Sequence, residues 1–103
     1  MILFSEKQKG FIMTNFDVAK KLCKDFNNEY SEKIGCYLSV HGSAYWIKIG
    51  LSKNGETGIT ASDTVSNRQI VRLAEKIIDR LKWEMENGLD YHKAQIIVSC
   101  TKL

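Results

Sequence analysis

The residues able to do chemistry are few and lie far apart. His41 and His92 are the only histidines, and Cys23, Cys36 and Cys100 are the only cysteines, in a chain of 103 residues. A serine or cysteine nucleophile needs a base within hydrogen-bond reach and a third group to orient that base. Ser39 stands two residues from His41, but neither His41 nor His92 has a carboxylate at a spacing that would orient it; Asp90, two before His92, is too ordinary a neighbour to count. Glu84 and Glu86 diverge by about 200° on a helix and so do not form an acid–base pair. No phosphate-cradling glycine loop, GxGxxG or HExxH occurs. The three cysteines make no CxxC or Cys/His ladder, so neither a zinc site nor a disulfide framework is expected; all three fall on apolar faces and read as reduced core thiols. No catalytic residue, metal or cofactor is predicted, and a binding role is expected rather than an enzymatic one.

Composition narrows the binding partner only a little. Lysine and arginine exceed the acids by three, with 8 basic and 5 acidic residues before Asn54 and 7 of each from there on. A dedicated nucleic-acid domain more often has a pI above about 9 and a clustered basic stripe. Apolar residues are 44% and charged residues 26%, which is globular usage rather than disorder. There is no proline, so turns must be shaped by Gly, Asn, Ser and Asp. No apolar run is long enough for a signal peptide or a membrane span, and a cytoplasmic location is expected.

The elements that must position these residues follow from periodicity. Residues 1–13 read as an N-terminal extension or a short edge strand, and residues 14–103 as a single α+β domain. Phe16, Ala19, Leu22, Cys23, Phe26 and Tyr30 recur at three and four, predicting a helix over 16–30 capped by Thr14 or Asn15. Ile34, Cys36, Leu38 and Val40, then Tyr45, Ile47, Ile49 and Leu51, alternate with other residues as in two half-buried strands. A two-residue turn at Gly42-Ser43 would pair Val40 with Tyr45 and Leu38 with Ile47. A bulged turn at Gly55 would place Ile59 opposite Ile49 in a third strand over 56–61. A second helix should start near Ser66, with Gln69 at capping-box spacing, bury Ile70, Leu73, Ala74, Ile77, Ile78, Leu81 and Met85, and stop at Gly88. A last strand is predicted over 94–101. The predicted fold is a two-layer α+β arrangement of order α-β-β-β-α-β, both helices covering one face of a mainly antiparallel sheet.

With the core assigned, two sets of side chains remain. The first is the outer face of the hairpin, where Tyr37, His41, Trp46 and Lys48 would stand together with Ser39. Cross-strand stabilisation, cover by the N-terminal segment, protein contact and base stacking are the roles open to it. The second lies on the second helix. Trp83 sits about 170° from the middle of the apolar stripe, and Arg68, Arg72, Lys76 and Arg80 step along at intervals of four. A solvated face with Trp83 stacked on Arg80, packing of Trp83 under residues 1–12, a dimer or partner interface, and a track for a phosphate backbone are the readings there.

The α-β-β-β-α succession resembles a double-stranded-RNA-binding domain. In place of that family's basic run at the start of its second helix, this chain has Asp63-Thr64-Val65-Ser66-Asn67. With a strand in residues 1–12 the order would also resemble the RNA-recognition ferredoxin-like fold, here without its aromatic-glycine signature. Either resemblance implies nucleic-acid binding, through the hairpin face and the basic row, but topology alone does not carry function. The leading expectation is a small non-enzymatic protein-binding or regulatory module acting on another protein or on itself as a homodimer. One form of it would be an inhibitor that phages or mobile elements direct at a host defence nuclease, in the manner of anti-CRISPR proteins. Only small size and a Lys-, Ile- and Asn-rich usage point to that form. RNA or DNA binding is the alternative, and no membrane partner is expected.

Overall fold

Thr14 opens the first helix. Its hydroxyl accepts from the Asp17 N–H at 3.1 Å, and the Asp17 carboxylate accepts from the Thr14 N–H at 3.3 Å, closing a capping box. The computed structural model describes residues 13–43 and 45–103, so the expectations for the first twelve residues lie outside the described residues. Helix α1 spans Asn15–Ile34, a turn longer than periodicity predicts, because Gly35 takes a left-handed φ of 74° and returns its N–H to the Ser31 carbonyl. Ile34 is therefore buried from a helix end and not from a strand.

Strand β1 (Cys36–Gly42) pairs antiparallel with β2 (Ile47–Lys53), and β2 pairs with the two-residue β3 (Thr60–Ala61), in the order β1-β2-β3. Cys36 and Leu38 from β1 and Ile47, Ile49 and Leu51 from β2 face the helices and are buried. The hairpin register differs from the predicted one by four residues: Val40 faces Ile49, Leu38 faces Leu51 and Gly42 faces Ile47. An even shift keeps the aliphatics on one face. It also lengthens the connection to Ser43–Trp46, which removes Tyr45 and Trp46 from the strand. Gly42 permits this: with φ 146°, a Cβ there would collide with the Trp46 carbonyl oxygen and the Ile47 Cα.

The third strand is shorter than predicted and in a different register. Leu51 faces Thr60 and Gly50 faces Ala61, which leaves Ile59 outside the strand and 42% exposed rather than opposite Ile49. That offset is three residues, an odd number, and so it turns the face over. Beyond β3 the ladder skips a residue before the Ile47–Val65 bridge. At this bulge the buried Ser62 hydroxyl accepts from the Ile49 N–H at 2.9 Å.

Helix α2 spans Ile70–Met85 and buries Ile70, Leu73, Ala74, Ile77, Ile78 and Leu81, as its stripe predicts, while Met85, also expected in the core, is only half-buried at its end. The Ser66–Gln69 contact forms, at 3.1 Å between the hydroxyl and Oε1, but it closes a turn ahead of the helix rather than its first turn. Gly88, φ 85°, follows its end. The last element overturns the prediction: residues 91–100 are helix α3 (Tyr91–Cys100), not a strand. Asp90 caps it by accepting from the Lys93 N–H at 2.8 Å, and Ala94, Ile97, Val98 and Thr101 form the buried stripe. The branched run Ile96-Ile97-Val98 favours strand locally, but burial at spacings of three and four outweighs that preference. The fold is α+β as expected, in the order α-β-β-β-α-α.

Helix α1 is fastened to the sheet edge by one side chain. The Asn27 amide donates to the Leu38 carbonyl and its oxygen accepts from the Leu38 N–H, both at 2.8 Å. Asn27 thus supplies the two bonds a further strand would give to β1. Replacing it strands two half-buried backbone groups, so Asn27→Ala should lower unfolding free energy in urea by about 1–3 kcal/mol. Asn27→Asp should be no better, because it keeps the acceptor but turns an oxygen toward the Leu38 carbonyl.

Candidate functional site

The residues predicted as a binding surface do not come together; they divide among three places. Tyr37, His41 and Lys48 lie on the sheet face away from the core, all half-buried. Their partners differ from those expected: His41 faces Lys48, Tyr37 faces Ser52, and Ser39 faces Gly50. The Ser39 hydroxyl lies 2.7 Å from His41 Nε2, and the two side chains lie over Gly50. A Cβ at Gly50 would come within 3.0 Å of Ser39 Oγ and 3.1 Å of the imidazole, so the glycine makes room for the pair. Among the described residues no carboxylate bonds to His41, and the side chain across from it is a cation. This is a packed polar cluster rather than an open aromatic platform, since Trp46 is absent from it.

Trp46 is the second place. With Tyr45 it stands in the loop Ser43–Trp46, the two rings 62% and 78% exposed. The base of this loop adjoins Thr14 and Phe16 at the start of α1 and Asn67 ahead of α2. Trp83 lies 13 residues into α2 from Ile70, which is roughly 20 Å along the axis. The two tryptophans therefore mark opposite ends of the helical layer.

The third place is the outer surface of α2 with α3. Arg72, Lys76, Arg80 and Trp83 fall within an arc of about 80° on the helix, and all four are exposed, Trp83 at 65%. Arg80 does not stack on Trp83: the cation–π contacts among the described residues are Lys20 over Phe16 and both Lys33 and Lys82 over Tyr30. Beside this row, α2 and α3 enclose a groove of about 310 Å³ lined by Lys76, Arg80, Ile96, Ile97, Cys100, Thr101 and Lys102. Ile96 is 49% exposed. Lys76 donates through Nζ to the Lys102 carbonyl, and the Lys102 ammonium pairs with Asp63 at 2.6 Å. That ion pair raises the Lys102 pKa, through its hydrogen bond first and its charge second.

No family model, curated protein or solved structure matches this chain. The α2–α3 surface therefore has to be read from its own geometry. Sequence periodicity missed its second wall, because residues 94–101 read as a strand hide Ile96, Cys100 and Lys102 from it. The available signal was Asp90 three residues before Lys93, followed by the 94, 97, 98, 101 spacing. No group of three or more metal-ligating side chains occurs among the described residues.

The thiols divide in the same way. Cys23 and Cys36 are buried, as expected, and burial pushes their pKa values up to about 12 and about 11. Cys100, expected in the core, is exposed because it lies on the outer side of a helix. In the folded protein one thiol per chain, Cys100, should react with an alkylating reagent, with Cys23 and Cys36 following only on unfolding; mass spectrometry of the labelled sites checks this. The folded chain keeps the buried thiols protonated where an unfolded chain would ionise them, above the ordinary value of 9.0. Their contribution to stability is thus constant at neutral pH and declines as pH rises past about 9. Urea titrations of wild type and Cys23→Ala at neutral and alkaline pH should show a shallower decline in the variant.

Proposed function

We propose that this protein is a non-enzymatic protein-binding module whose contact surface is the outer face of α2 together with α3. The observation that carries the reading is Trp83, 65% exposed beside Arg80 and Lys76 on a helix whose other face is fully used by the core. Tryptophan and arginine are the residues most enriched among energetic anchors of protein interfaces, and a solvated tryptophan leaves a large apolar area to be covered. On the α3 side of the neighbouring groove, Ile96 is a second exposed apolar side chain. A second copy of the chain, or a larger target such as a host defence nuclease, is within this reading; small size and composition are the only support for the latter.

Nucleic-acid binding is the second reading, favoured by Lys76, Arg80 and Lys102 on one groove with Arg68 and Arg72 exposed nearby. Against it, Glu75 and Asp79 are exposed on the same helix, and Asp63 already pairs with Lys102.

Affinity capture from the source cells, with binding of the captured protein then quantified by calorimetry, tests the proposal. Trp83→Ala should weaken the complex by about 2 kcal/mol or more, about 30-fold, whereas Trp46→Ala, at the far end of the layer, should change it less than about threefold. A homodimer would show in light scattering as a mass that Trp83→Ala halves. Binding that instead follows a short RNA or DNA duplex, and collapses between low and physiological salt, would favour the second reading.

A further inference from the structure

The charges around the α2–α3 groove specify what it would take. Of the side chains lining it, Lys76, Arg80 and Lys102 are cationic and none is acidic, but Lys102 is already paired with Asp63, so Lys76 and Arg80 are the two cations left to a ligand; the remainder of the wall is Ile96, Ile97, Cys100 and Thr101. Lys76 and Arg80 are one helical turn apart, about 6 Å. Lys76 gives one hydrogen bond to the Lys102 carbonyl, so its ammonium keeps two donors for another acceptor. Arg80 is exposed, and a guanidinium is suited to bidentate capture of a carboxylate. On the α3 side of the same groove, Ile96 presents apolar surface at 49% exposure.

Building on the proposed protein-binding role, we infer that this groove docks an acidic segment of a partner protein, an amphipathic helix with carboxylates one turn apart and an aliphatic or aromatic residue beside them. Carboxylates at i and i+4 match the Lys76–Arg80 spacing, and the apolar residue between them covers Ile96 and reaches toward Trp83. This is helix-in-groove recognition with a cationic rim. A phosphate backbone would use the same two cations but has no apolar group with which to cover the exposed Ile96.

Selection of a displayed random-peptide library against the full-length chain tests this, with the enriched peptides then measured by fluorescence anisotropy. The expected result is enrichment of peptides with net negative charge and at least one large apolar residue. Their affinity should fall at least tenfold in the double variant Lys76→Glu, Arg80→Glu and in Ile96→Glu, with circular dichroism confirming that both variants are folded. Enrichment of neutral or basic peptides, or acidic peptides whose binding survives the charge reversal, overturns the inference. Peptides that ignore the charge reversal but are lost in Trp83→Ala refute the acidic partner while leaving the broader protein-binding reading intact. Peptides insensitive to all of these variants, or displaced at physiological salt by a short RNA duplex, refute both.

Discussion

The burial of β2 is the constraint on which the other elements depend. Ile47, Ile49 and Leu51 are each no more than 1% exposed, and β1, β3, α2 and α3 all pack on this strand. Each such side chain contributes about 1.5–3 kcal/mol by leaving water, and no other strand contributes three. The face away from the helices is also closed, Gly50 under Ser39 and His41 and Ser52 opposite Tyr37. A strand enclosed on both faces tolerates no change of register by an odd number of residues, since its aliphatics would exchange places with Gly50 and Ser52. The bulge at Ser62 is consistent with this: just past β3 the chain leaves the ladder, and the Ser62 hydroxyl accepts from the Ile49 N–H in place of a carbonyl.

Periodicity made α1, the hairpin strands and α2 legible, because each buries a single stripe or face and its apolar spacing records which one. The hairpin shows how far that information reaches. Alternation identifies the inward face but is unchanged by a shift of four residues, so the face was correct while the pairing partners were not. The observed pairing depends on a close approach of Gly42 to Trp46 and Ile47 that no local pattern encodes. At the C-terminus the ambiguity was of another kind. Ile96-Ile97-Val98 satisfies both periods over a few residues, and only the Asp90 cap and burial against α2 and β2 select the helix.

The division of the candidate surfaces follows from the same two causes. Trp46 read as a strand residue belongs to an aromatic sheet face; in a four-residue loop it stands away from that face. Cys100 and Ile96 read as strand residues share an inward side; on a helix they turn outward and, with Lys102, complete a groove that α2 alone does not form. Trp83 kept its assigned position because α2 was the strongest helical pattern in the chain.

Asn27 has a wider consequence than holding α1 in place. An unpaired sheet margin invites a foreign backbone to extend it, which is how many chains swap segments or build fibres. Here one margin is occupied at Leu38 by an amide that imitates a neighbouring backbone, and the other is only two residues long before it bends away. Assembly by continuous β-structure across molecules is thereby discouraged at both margins of the sheet.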